Sequence, residues 1–396
     1  MLTMAAVLAL VLWLAPGAAR PLQGGKAAAL APGAARAAQG GNCTERRSPW
    51  QGAFQVALVR RQETPLVASW NSSGGTSDFT FNMNAAYFQA PDGGDGLVVR
   101  VVECADGGPL PCPGPLNVTH PEWANAGAMV VVRANLSAVP PTVAHVSLAG
   151  VTWAGAAAPP RADHAAWGAV DPRMAQHNGT YYLTWDNCTR DCAHRQTMLS
   201  TTRDPFDAGG WTFHGPLAGG QNAGASLLLP PAGPPFLALV NNYNVQRLAV
   251  MTSADGAAWS HTSAVLMEGR AGCWDARGVG AGPQALPLST GDFLYVYNVD
   301  RFQYDLPLGR CSAGWAILDR DDPTLVIARS VEPLITAVLP WEQCLTESYF
   351  CQTTTVIWAE GLRAVGGDAF DLIYGGGDTD TGIARIQVTV PAGRRR

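Results

Sequence analysis

The sequence predicts an all-β chain built as a five-bladed β-propeller, and three observations carry that expectation. First, strands of one type recur at 96–100, 180–186, 236–241, 292–298 and 370–375, rich in aromatic, β-branched and aliphatic residues and each ending on a polar or small residue. Second, they lie roughly 55 to 85 residues apart, uneven enough for blades that carry insertions. Third, the intervals hold further short strands punctuated by turn signals such as Asp204-Pro205, Ala254-Asp255-Gly256 and Ser289-Thr290-Gly291, while sustained helical periodicity is almost absent. A β-sandwich shows the same alternation, but five spaced copies of one strand favour radial repetition, which also suits a length beyond the usual single core.

The ends of the chain read differently from its centre. Residues 1–19 carry an apolar run at 5–14 followed by Pro16-Gly17-Ala18-Ala19, the pattern of a signal peptide, and residues 20–41 are an Ala/Gly/Pro-rich lead-in with little to bury. The propeller is expected over 42–393, with Arg394-Arg395-Arg396 as a basic tail. Six Asn-x-Ser/Thr sequons, at Asn42, Asn71, Asn117, Asn135, Asn178 and Asn187, agree with a secreted or luminal glycoprotein, with Asn178 and Asn187 placed near the candidate site. Nine cysteines in an exported chain imply disulfides: Cys104/Cys112, Cys188/Cys192 and Cys344/Cys351 as local staples, and Cys273/Cys311 as a fourth bridge. No later segment is long and apolar enough to span a membrane, and the oligomeric state is not legible. A net charge of −5 with 14% charged residues argues against nucleic-acid binding.

The chemistry concentrates at Val170-Asp171-Pro172-Arg173, which precedes the strand that starts at Thr180. Proline restricts the residue before it, so Asp171 is expected to be extended, and Arg173 is near enough to orient or charge-balance the acid. In a propeller the inner strands and adjoining loops face the axis. Arg100, Asp171, Asp186, Asn241, Asn298 and Asp378 are therefore expected to converge, as a sugar pocket of hydrogen-bonding groups beside aromatic faces requires. No cofactor or metal is implied: there is no phosphate-binding Gly-x-x-x-x-Gly-Lys loop, no His-Glu-x-x-His motif, and Cys188-x-x-x-Cys192 lacks a second ligand pair.

Five features occur in a fixed order: Phe81-Asn82 with Val99-Arg100, the Asp171 turn, Gly280-Ala281-Gly282-Pro283, Gly314-Trp315-Ala316-Ile317-Leu318-Asp319, and Tyr374-Gly375-Gly376-Gly377-Asp378-Thr379. That order resembles glycoside hydrolase family 130, the β-mannoside phosphorylases and related hydrolases with five-bladed propellers. The resemblance implies that Asp171 is the general acid, passing its proton through a sugar hydroxyl with inversion. It also implies that Asn82, Arg100 and Asp378 hold the sugar, and Arg173 is taken as a further substrate-binding residue.

The chain departs from the family's phosphate-holding residues. Gln221-Asn222-Ala223 stands where an Asn-Arg-Asp run is expected, Asn241-Asn242 replaces His-Arg, Tyr297-Asn298 replaces Tyr-His, and Gly278 stands for a lysine beside Arg277. These departures favour a glycosidase acting on β-mannosides or related oligosaccharides. Inversion by water needs a carboxylate base about 6.5 to 9.5 Å from the acid, for which Asp275, Glu342 and Glu347 are candidates. Trp274, Trp315 and Trp341 are either sugar platforms or packing residues. The alternatives are a β-mannoside phosphorylase and a non-catalytic carbohydrate-binding propeller.

Overall fold

A computed structural model describes residues 49–68, 84–102, 127–144, 152–153, 169–188, 195–217, 222–230, 232–242, 247–300, 311–343, 355–377 and 379–394. Within them the chain is nearly all β and forms the expected five-bladed propeller. The first strand, β1 (Gln55–Arg61), belongs to the last blade. Blade I is β2 (Ala85–Gln89), β3 (Asp95–Val102) and β4 (Gly127–Asn135), with the short β5 (Thr142–Val143) and β6 (Thr152–Trp153) both on β4. Blade II is β7 (Ala169–His177), β8 (Thr180–Cys188), β9 (Arg195–Thr202) and β10 (Thr212–Pro216). Blade III is β11 (Asn222–Leu228), β12 (Phe236–Asn242), β13 (Arg247–Ser253) and β14 (Ser260–Met267), joined to blade II by one parallel pairing of Asn222 with Gln196. Blade IV is β15 (Leu286–Pro287), β16 (Phe293–Asp300), β17 (Cys311–Leu318) and β18 (Val326–Arg329). Blade V is β19 (Ile357–Gly366), β20 (Ala369–Gly376) and β21 (Asp380–Thr389), completed by β1, which runs antiparallel to β21 with Gln55 opposite Thr389. Adding one early strand to three late ones closes the ring without a covalent seam.

All five strand signatures fall on the second strand of a blade, namely β3, β8, β12, β16 and β20. Burial on both faces explains why they stand out. Blade neighbours cover the two sides of a second strand, so Phe293 through Val299 are all buried and Phe293 through Tyr297 read as continuously apolar. Outer strands face water: the first six residues of β14 are exposed, and those of β10 are exposed except Gly215.

The core is divided among the blade interfaces. Among the described residues there are five apolar clusters, one for each pair of adjacent blades. For example, Phe88, Val98 and Met129 of blade I meet Tyr181, Leu183 and Trp185 of blade II, while Leu294, Trp315 and Ile317 of blade IV meet Ile357, Leu372 and Ile386 of blade V. At the C-terminus, Arg394 pairs with Asp292 at 2.8 Å and with Asp319, tying the end of the chain to blade IV.

Two expectations are corrected here. Cys311 is a buried thiol, and Cys273 is disulfide-bonded to a different cysteine. Asn178 is exposed in the turn of the β7–β8 hairpin, at the opposite end of β7 from Asp171, so its sequon is away from the site. Asn42, Asn71, Asn117, Cys104, Cys112, Cys192, Cys344 and Cys351 lie outside the described residues, as do 1–41, Arg395 and Arg396.

Candidate active site

The inner strand of blade II breaks its register at the acid. Val170 pairs with Asp186 and Arg173 with Thr184, so Asp171 and Pro172 together oppose Trp185 alone. That is a β-bulge, which kinks a strand and re-aims a side chain. Asp171 adopts φ 55°, in the left-handed region, rather than the extended conformation expected before a proline. Aspartate tolerates this region better than most residues, and local strain of this kind needs support from its surroundings.

Arg173 supplies that support. Its Nη1 donates to the Asp171 carbonyl at 2.9 Å, while Nε and Nη2 donate to the carbonyls of Gly282 and Ala281 at 2.9 and 2.8 Å. The guanidinium is therefore a bracket between blades II and IV. Gly224, at φ +78°, makes room for it, since a Cβ there would lie 3.2 Å from the guanidinium carbon. Asp186 fixes Gly224 in turn: its Oδ1 accepts the Gly224 amide at 2.7 Å and the Thr197 hydroxyl at 2.9 Å.

A second acid meets Asp171 from blade V. The Asn84 side-chain amide donates to Asp171 Oδ1 at 3.3 Å and to Glu360 Oε1 at 3.5 Å, so one nitrogen spans both carboxyl groups. Glu360 is 1% exposed, lies 3.9 Å from Arg173 Nη2, and its Oε2 has no hydrogen-bond partner. Burial, and then the charge of Asp171, hold the Glu360 carboxyl well above its ordinary value of 4.5, with Arg173 and Arg100 opposing. Asn84 is wedged in place: a Cβ on Gly375 would fall 1.8 Å from its Oδ1.

Arg100 is buried near this group and acts on Glu360 through its charge. Asn241 and Trp358 flank Gly280 on the blade III and blade V sides. Asn298 serves the scaffold. Its side chain donates to the carbonyls of Ala281 and Ala359 and accepts the Ala359 amide, stitching blade IV to blade V. Asn82, Asp378 and Glu347 lie outside the described residues.

Of the acids first considered as water-activating bases, the two that are described, Asp275 and Glu342, are structural. Asp275 is fully buried, with ion pairs to Arg270 at 2.8 Å and Arg329 at 2.7 Å and the Tyr297 hydroxyl at 2.9 Å. Glu342 pairs with Arg61 at 2.6 Å and accepts the Tyr374 hydroxyl and the amides of Val338 and Leu339. Trp315 and Trp341 are core residues, and Trp274 stacks on Tyr297 at 5.8 Å. Sequence reasoning passed over Glu360 and Asn84. The available signal was a lone acid inside an apolar strand, Ile357-Trp358-Ala359-Glu360-Gly361, and a second asparagine beside Asn82.

These features define a five-bladed propeller with an acid site on its inner strands. The chain belongs to glycoside hydrolase family 130: residues 146–390 match that family's model, described as β-1,4-mannooligosaccharide phosphorylase. It is 28% identical over 222 residues to a 1,2-β-oligomannan phosphorylase of Thermoanaerobacter sp. (strain X514), covering 56% of this chain and 69% of that protein. Among solved structures, a glycosyl hydrolase from Bacteroides ovatus superposes with a TM-score of 0.61 at 17% identity, over 83% of this chain and 93% of the other. A β-1,2-mannobiose phosphorylase from Listeria innocua gives 0.59 at 19%, over 84% and 96%. At these identities the superpositions establish the fold.

Proposed function

We propose that this protein cleaves β-mannosides or related oligosaccharides, with Asp171 as general acid, inversion at the anomeric carbon and water as the attacking group. The observation that carries the reading is the bulge, which turns a nearly buried acid out of an inner strand and clamps its backbone with Arg173. Arg173 acts by positioning, its donors being directed to backbone carbonyls. Arg100, Asn82 and Asp378 are assigned to the sugar hydroxyls on the strength of the family resemblance. The missing family arginine, histidine and lysine support water over phosphate as the nucleophile. The six sequons support a secreted or luminal setting.

Phosphorolysis is the second reading, favoured by the names of the matching family model and of the Thermoanaerobacter relative. The test is a panel of β-1,2- and β-1,4-mannosides incubated with the protein, with and without phosphate. Free mannose without phosphate supports hydrolysis, and mannose 1-phosphate formed only with phosphate supports phosphorolysis. Sugar binding without product, unchanged in Asp171→Asn, supports a non-catalytic binding propeller.

A further inference from the structure

Two buried carboxyl groups meet at one nitrogen. Asp171 and Glu360 are both nearly inaccessible, and the Asn84 side-chain amide donates to both, at 3.3 and 3.5 Å. Two like charges this close in the interior are costly, and one proton relieves the cost. Glu360 offers a place for it: its Oε2 has no hydrogen-bond partner, and Arg173 Nη2 is 3.9 Å from its Oε1. Asp186 stands beside the pair, with its Oδ1 held by the Gly224 amide and the Thr197 hydroxyl.

We propose that Glu360 is a positioning residue for the acid step: it forms with Asp171 a carboxyl pair that holds one proton between them, oriented by Asn84. This rests on the reading of Asp171 as general acid. Two carboxyl groups in one buried site cannot both ionise readily, so the last proton is retained to higher pH than an isolated acid would allow. The pair releases that proton toward the departing sugar oxygen and is reprotonated from solvent after turnover. Glu360 need not touch substrate to do this.

Few charged groups stand on the described elements packed against the pair. β7 brings Asp171 and Arg173, β8 brings Asp186, and β3 brings Arg100. β2 and β17 carry no charged residue, and Asn298 of β16 meets β19 by hydrogen bonds to Ala359. Asp371 of β20 is held by Arg363 at 3.1 Å and Arg385 at 2.5 Å.

The test compares full-length wild type, Glu360→Gln, Glu360→Asp and Asp171→Asn. Two readouts are taken on proteins that melt cooperatively: kcat/KM against pH on a cleaved mannoside, and the infrared carbonyl stretch of protonated carboxyl groups against pH. In Glu360→Gln the like charge is gone, so the alkaline limb of kcat/KM should move to lower pH and activity above neutral pH should fall about tenfold, with KM nearly unchanged. Glu360→Asp should keep the wild-type limb. The protonated-carboxyl band should persist at neutral pH in wild type and titrate at lower pH in both single-acid variants. An unmoved limb in Glu360→Gln overturns the proposal, as does a wild type with no protonated carboxyl at neutral pH. If wild type turns over no mannoside, the acid-step reading fails, while the infrared band and its shift still decide whether the pair shares a proton.

Discussion

Two buried acids in this molecule have opposite surroundings. Asp275, between blades III and IV, meets two arginines and a tyrosine hydroxyl, and burial pushes that Tyr297 hydroxyl up to about 12, so it remains a donor. Glu360 meets another acid, shares a single amide with it, and sits 3.9 Å from its closest paired arginine. Both are nearly inaccessible to water. The difference teaches that burial alone does not mark a reactive carboxyl. An acid whose oxygens are held by cations acts as scaffold, whereas an acid facing a like charge is poised to exchange a proton.

The largest expected contrast comes from removing the acid on each side. Asp171→Asn should lower kcat by about 10²- to 10⁴-fold while the melting temperature stays near wild type, measured as initial rates on a cleaved mannoside. Asp275→Asn should do the reverse. It strands Arg270 and Arg329 in the interior and should cost about 3–5 kcal/mol, read by denaturant unfolding, with the folded fraction still active. If both variants lose activity and keep stability, the division between scaffold acid and site acid is wrong.

A smaller effect sharpens the comparison from the wall of the site. Gly375→Ala places a Cβ against Asn84 Oδ1 and should displace the bridging amide, reducing kcat/KM by about 10²-fold. Unchanged activity would mean that Asn84 is dispensable to Asp171.

The smallest expected effect is on stability against pH. Because Glu360 is held above its unfolded value near 4.5, the folded state binds more protons than the unfolded one between that value and its raised one. Its contribution is therefore fully present below the unfolded value and is lost as pH rises through the folded value. Glu360→Gln lacks this loss, so its melting temperature should gain on wild type with increasing pH. A constant difference across the range would show that Glu360 ionises as it does in the unfolded chain.

How much of this was legible in the sequence depended on the range of the interaction. The blade count was visible because all five second strands are buried along most of their length and are mainly apolar. The Asp171 turn was visible because proline and arginine act on an acid within two residues of them. The conformation of Asp171 was misread, since the bulge that sets it depends on pairing with β8 and on Arg173 reaching blade IV. Asp275 and Glu342 seemed available as bases because their partners come from remote segments: Arg329 is 54 positions beyond Asp275, and Arg61 is 281 before Glu342.

By itself, then, the sequence determined the radial β architecture, the resemblance to its family and the candidate acid, all of which rest on periodicity or on neighbours along the chain. Tertiary structure decided which acids are neutralised and which face each other. Asp171 and Glu360 are 189 residues apart, and only ring closure, with the inner strands of blades II and V brought to one axis, places both within reach of Asn84. Charge balance in a buried site is a sum over everything nearby in space, and no local pattern contains that sum.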